Sequence, residues 1–266
     1  MRQQSRFLAS VAVTAMVAAG LGGCQTMSDI TGSVSPKPQA SAEPDPRRAV
    51  EVAADRYRAD PKSVEAALAY GQALRASGQR SQAAAMLEQA TIAHPGDRAL
   101  LAAYGRALVD NGNFQQALDV LNRAHSPDNP DWRILSVQGT ALDQLGRHEE
   151  ARRYYDSALR IVPGEPAVLS NLGLSYMLTK NLPKAEEALR QAHASGRADA
   201  RVRQNLALVI GLQGRFAEAE QIVRADLPPD EATANVAYLK QMLNRKDDPR
   251  LGNAGKMPVA SLSRPE

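Results

Sequence analysis

Few side chains in this sequence are of a kind that does covalent or ligand chemistry. Cys24 is the single cysteine among 266 residues, so its thiol has no internal disulfide partner. A free thiol in an exported chain is an oxidation liability, and the chemistry that suits a lone cysteine near the start is acylation. His94, His125, His148 and His193 have no second ligand at a metal-binding spacing and read as surface residues. The pairs Glu149-Glu150 and Glu186-Glu187 sit beside Arg or Lys, the pattern of a solvated helical face rather than of general acid and base. There is no phosphate-cradling Gly-rich loop ending in Lys-Ser/Thr, no nucleophile elbow and no HExxH. No catalytic constellation is expected, and with it no metal, no cofactor and no small-molecule substrate.

The surroundings of Cys24 explain what acylation would be for. Residues 1–23 have a basic start at Arg2 and Arg6, an apolar stretch from Phe7 to Ala19, then small residues, the layout of a secretory signal peptide. The apolar stretch falls short of the about 20 residues that a membrane-spanning helix needs. Leu21-Gly22-Gly23-Cys24 resembles the bacterial lipobox, which implies lipidation of Cys24 as the mature N-terminus. Buried acyl chains contribute about 0.8 kcal/mol per methylene, and more than one chain anchors stably. Gln25 follows the cysteine, where Asp would resemble an inner-membrane retention signal. The expected location is therefore the outer membrane, lipid-anchored and facing the periplasm. Residues 24–46 are rich in Ser, Gly and Pro and read as a flexible tether, and 246–266 read as a disordered tail.

Between these ends the chain is periodic. Gly71, Gly105, Gly139 and Gly173 follow one another at 34 residues, and the next step lands on Ala207. Ala83, Ala117, Ala151, Ala185 and Ala219 keep the same step, and Gly78, Gly112, Gly146 and Gly214 keep it with one departure at Lys180. A period of 34 is that of the tetratricopeptide repeat, two antiparallel helices per unit. The fold class expected is all-α, a right-handed superhelical solenoid with capping half-units. With glycine as the eighth position, the repeats span 64–97, 98–131, 132–165, 166–199 and 200–228, between a capping helix at 47–61 and a C-terminal helix at 229–245. The small residues at positions 8 and 20 belong where the helices of one unit cross, and position 24 is expected to fill the gap to the next unit. In the departing turn, Asn181 is expected to supply the left-handed residue that glycine supplies elsewhere. Ala234, Ala237, Tyr238, Leu239 and Met242 give the last helix an apolar face.

In the tetratricopeptide family the first helices line a concave groove that holds protein segments. Carrying its groove positions over gives Arg75, Arg106, Arg133, Thr140, Asn171, Leu174, Met177, Leu178, Arg201, Asn205 and Leu208. The N-terminal half of this groove is cationic and would steer an acidic segment, whereas the C-terminal half is more apolar. Asn side chains can hold an extended backbone, and Leu174 and Leu208 read equally as core. The Lys and Asn set of the family's carboxylate clamp is incomplete, so recognition of a terminal carboxylate is not expected.

Nucleic acid is not an expected partner. The formal charge of +3 includes Arg2 and Arg6, and aromatic residues are only 4%, so both an electrostatic footprint and a stacking platform are lacking. The stretch from Gln204 through Gly211 to Leu243, with the lipobox, the Pro-rich tether and five repeats, resembles the tetratricopeptide lipoproteins of the Tad/Flp (tight adherence) pilus system. That resemblance implies a non-enzymatic, pilotin-like adaptor acting on the pilus secretin or another assembly component. Two other readings stay open: an adaptor for outer-membrane protein insertion or cell-wall synthesis, and the regulatory arm of a periplasmic enzyme.

Overall fold

The computed structural model describes residues 46–126 and 128–246. The expected signal peptide, the expected lipidation site Cys24, and nearly all of the expected tether and tail lie outside the described residues. Among the described residues all regular structure is helical: α1 (Pro46–Ala59), α2 (Val64–Ala76), α3 (Arg80–Ala93), α4 (Arg98–Asp110), α5 (Phe114–Ala124), α6 (Trp132–Gln144), α7 (His148–Ile161), α8 (Pro166–Leu178), α9 (Leu182–Ala194), α10 (Ala200–Leu212), α11 (Phe216–Val223) and α12 (Pro229–Lys246). A lone bridge between Ser126 and Asn129 is the nearest thing to a strand.

Local chemistry sets the helix ends. Ser63, Asp97, Asp131 and Asp199 cap α2, α4, α6 and α10, accepting from the backbone N–H of Ala66, Leu100, Arg133 and Val202 at 2.7–3.1 Å. Each such cap stabilises its helix by about 1 kcal/mol. α8 instead begins with Pro166, whose fixed φ suits a first turn. The turn closing each first helix repeats one bond: the N–H groups of Gln79, Asn113, Arg147, Asn181 and Arg215 reach back to Leu74, Leu108, Leu142, Tyr176 and Ile210. That closure needs a left-handed residue just before it. Gly78, Gly112, Gly146 and Gly214 supply it at φ 76°–86°. In the fourth unit Lys180 itself takes φ 61°, not Asn181. Asn181 has φ −84° and caps α9, accepting from Lys184 N–H at 3.3 Å. The turn is fixed by its hydrogen bonds, so the residue at that register position must adopt the strained conformation whatever its type.

Packing between the two helices of a unit rests on one contact. A Cβ added at Gly71 would lie 2.8 Å from Leu87, at Gly139 2.5 Å from Tyr155 and at Gly173 2.6 Å from Leu189, and Gly105 is as tightly covered by Leu121. Position 24 therefore closes onto position 8 of its own unit, correcting the expectation that it fills the gap to the next one. The fifth unit has Ala207 at position 8 and the shorter Val223 at position 24, so the extra methyl on one helix is matched by a smaller side chain on the other. The alanines at position 20 are all buried beside this crossing.

Between units, each second helix packs on the first helix of the following unit, and first helices touch across units at α2–α4, α4–α6, α6–α8 and α8–α10. Second helices do not approach one another closely through their backbones among the described residues, although Arg190 of α9 reaches Glu218 of α11. The first helices thus form the inner wall. α12 touches both α10 and α11, the place a sixth first helix would occupy. Its packed face agrees with the expected one only in part: Leu239 and Met242 are half-buried, but Ala234, Ala237 and Tyr238 are exposed and Ala232 and Val236 are buried instead. Leu239 covers Gly211, where an added Cβ would lie 2.5 Å away, so the contact glycine here lies on α10 away from the 34-residue ladder.

Two outcomes follow from this packing. Lys180→Gly should stabilise the protein by about 1 kcal/mol by removing the left-handed penalty of a side-chain-bearing residue, read from urea midpoints. Gly105→Ala should cost about 1–3 kcal/mol through overpacking, and adding Leu121→Val should recover part of that loss. Additive losses in the double variant would contradict the coupling.

Candidate protein-binding groove

The inner wall carries the groove residues named from the sequence, and they fall into two halves. In the C-terminal half, Asn171 Nδ2 donates to Ser136 Oγ at 3.1 Å and Asn205 Nδ2 donates to Ser170 Oγ at 2.9 Å. Each bond joins a first helix to the one before it. An amide has two donors and two acceptor lone pairs, so one bond leaves most of its capacity for a bound backbone. Leu174, Met177 and Leu208 are half-buried rather than core, and Leu178 is 42% exposed. Thr140 turns inward, its hydroxyl donating to the Ser136 carbonyl at 3.1 Å. Arg201 is exposed, 3.9 Å from Asp199.

The N-terminal half is less uniformly cationic than its composition suggests. Arg75 Nε donates to Asp110 at 2.5 Å, so its charge is already paired. Arg133 is exposed and lies over the Trp132 ring, 4.5 Å from its centroid. Arg106 is half-buried and has no hydrogen-bond or ion-pair partner among the described residues. Burial first, then repulsion from Arg75 and Arg133, pushes its pKa below the ordinary arginine value, with Asp131 opposing. A cleft of about 440 Å³ opens between the start of α4, the α5–α6 connection and the start of α6; Arg106 does not line it but interacts electrostatically with Asp131 and Arg133, which do.

Comparison with known proteins agrees with this geometry. Residues 142–209 and 200–225 match tetratricopeptide-repeat models, and residues 48–124 match a model described as anaphase-promoting complex, cyclosome, subunit 3. The chain carries tetratricopeptide repeats. Among solved structures, a tetratricopeptide protein of Thermus thermophilus is 24% identical with a TM-score of 0.60, over 67% of this chain and all of that one. PilW, described as a widely conserved type IV pilus biogenesis factor, is 20% identical with a TM-score of 0.60, over 75% of this chain and 91% of that one. A chain of the APC/C hetero-tetramer Cut9-Hcn1 is 15% identical with a TM-score of 0.61, and the match covers 75% of this protein but 40% of that chain. This protein therefore spans less than half of that relative. No curated protein matches in sequence.

Sequence reasoning missed a polar cluster inside the array. Asp143 is buried and accepts from Tyr155 Oη at 2.9 Å and Ser175 Oγ at 2.8 Å, with His148 Nδ1 at 2.8 Å. Arg152, also buried, bonds Glu149 and lies 5.0 Å from the Tyr176 ring centroid. Burial, then the negative charge of Asp143, pushes the Tyr155 hydroxyl strongly up, so it stays a donor. The signal was Tyr155 itself, a tyrosine where other units have Leu or Val, because a buried phenol demands a polar partner. Of the four histidines, His193 alone is exposed; His94, His125 and His148 are half-buried, which corrects their reading as surface residues. Among the described residues no group of three metal-ligating side chains comes together.

A second network ties the last units on the outer side. Glu186 accepts from Arg190, Gln213 and Arg215 at 2.8 Å, and Glu218 joins both arginines. Burial pulls the Glu186 carboxyl up, but the bonds from Arg215, Gln213 and Arg190 outweigh it and hold the group at about 2, against an ordinary 4.5. A depressed carboxylate adds stability that is complete above its unfolded value and is lost as pH falls towards the folded one. Thermal stability should therefore drop as pH is lowered from about 4.5 towards 2, and Glu186→Gln should flatten that drop in melts recorded across this range.

Proposed function

We propose that this protein is a non-enzymatic, lipid-anchored adaptor of the outer membrane that serves pilus biogenesis of the Tad/Flp type, acting in a pilotin-like way on the secretin or another assembly component. The observation that carries the reading is the fit of the array to PilW over 91% of that pilus biogenesis factor. Three features support it. Cys24 in its lipobox-like setting provides the anchor, the residues from Gln204 to Leu243 resemble the Tad lipoproteins, and the inner wall offers amide and apolar side chains to an extended protein segment.

Cross-linking of intact cells followed by capture of this protein from membranes tests the assignment. Pilus secretion components should be recovered with the native form and should fall sharply with Cys24→Ser, which should also lose palmitate incorporation and leave the membrane fraction. Recovery of cell-wall enzymes or outer-membrane insertion factors in place of pilus components would reject the pilus assignment, and palmitate labelling of Cys24→Ser would reject the anchor.

A further inference from the structure

The cleft at the junction of the second and third units has walls of unlike chemistry. One side is α4, through Arg98, Ala99 and Ala102; the other is Trp132, Arg133 and the connection that precedes them. Arg106 lies one helical turn beyond Ala102 on the same face of α4. Asp131 also lines the cleft, but it is engaged in capping α6 through the Arg133 N–H at 2.7 Å. His125, at the cleft edge, has its Nε2 3.1 Å from Gln138 Oε1, and Gln138 in turn donates to Asn122. That arrangement makes Nε2 the protonated nitrogen, so Nδ1 is a buried acceptor with no partner among the described residues. Arg75, nearest on the other side, is neutralised by Asp110.

We propose that this cleft binds an acidic stretch within an extended protein segment, with Arg106 and Arg133 taking its Asp or Glu side chains and Trp132 packing against a neighbouring apolar residue. Charge complementarity commits the occupant. Two arginines without ion-pair partners among the described residues face one another's repulsion, and a carboxylate between them relieves it through charge-assisted hydrogen bonds. The indole beneath Arg133 gives a flat apolar platform that a simple anion would not use. The inference rests on the adaptor reading but not on its pilus assignment, and it places the acidic contact at Arg106 and Arg133 while leaving Arg75 out.

Trp132 is the single tryptophan of the chain, so intrinsic fluorescence reports on the cleft directly. The full-length protein would be titrated with an acetylated, amidated Gly-Glu-Glu-Leu-Glu-Glu-Gly peptide, its ends blocked so that no terminal carboxylate takes part. A saturable change in Trp132 emission is expected, at least tenfold weaker for the Gln-for-Glu peptide and for Arg106→Gln with Arg133→Gln. Arg75→Gln, and Arg160→Gln on the exposed side of α7, should change affinity less than twofold. No emission change in the millimolar range, equal binding by the double variant, or an equal response to inorganic phosphate alone would each overturn the proposal. Because capture of pilus components is read separately, a cleft that fails this titration leaves the adaptor assignment standing, and the converse also holds.

Discussion

Every unit of this array depends on the close approach of its two helices at position 8, where the absence of a side chain on the first helix admits a large one from the second. Leu87, Leu121, Tyr155 and Leu189 each seat themselves on a glycine, and in the fifth unit Ala207 and the smaller Val223 are both buried in one apolar cluster. The constraint is one of summed volume across the crossing, not of glycine as such. From it follow the tilt of the helices within a unit, the burial of the position-20 alanines beside them, and the surface against which the next first helix stacks. The groove is a by-product of that stacking. First helices meet along the inner wall because each is trapped between two second helices.

The third unit shows how a change at this contact propagates. Tyr155 brings a hydroxyl into the crossing, and the hydroxyl recruits Asp143, which in turn draws His148 from the following helix and Ser175 from the next unit. A buried carboxylate is tolerated there because its oxygens are met by three polar groups. The same boundary carries Arg152 against Tyr176. Units three and four are thus joined by buried polar contacts, while the core between units one and two is filled by apolar side chains such as Leu74, Leu87, Leu100 and Leu101, with the Arg75–Asp110 pair in its half-buried margin.

Fold and unit register were legible in the residues because a repeated contact imposes a repeated residue type, and five copies make the pattern unmistakable. What escaped were relations between positions rather than identities. That position 24 meets position 8 of its own unit, that Lys180 and not Asn181 bends the fourth turn, and that α12 packs through Ala232 and Val236 all depend on where a side chain lands in space. Helical phase is ambiguous in a helix as Ala-rich as α12, and there the sequence pattern caught Leu239 and Met242 but missed Ala232 and Val236. The arginines of the groove were visible as residue types, but composition could not distinguish Arg75, neutralised by Asp110 one unit away, from Arg106. Pairings of 35 residues, such as Arg75 with Asp110 or Asn171 with Ser136, appear only once the stacking of units is known.

The first helix has a mechanical meaning. α1 rests on α2 and on nothing else among the described helices, whereas each first helix inside the array is gripped from several sides. Tension applied from the N-terminal side of the chain would meet resistance one helix at a time, because in a linear stack each element is held by its neighbours alone. The outermost helix would peel before the crossing at Gly71 and Leu87 is loaded. Such an array yields in steps, with α1 as a compliant lead-in and the tyrosine-centred junction further along as a stiffer stop.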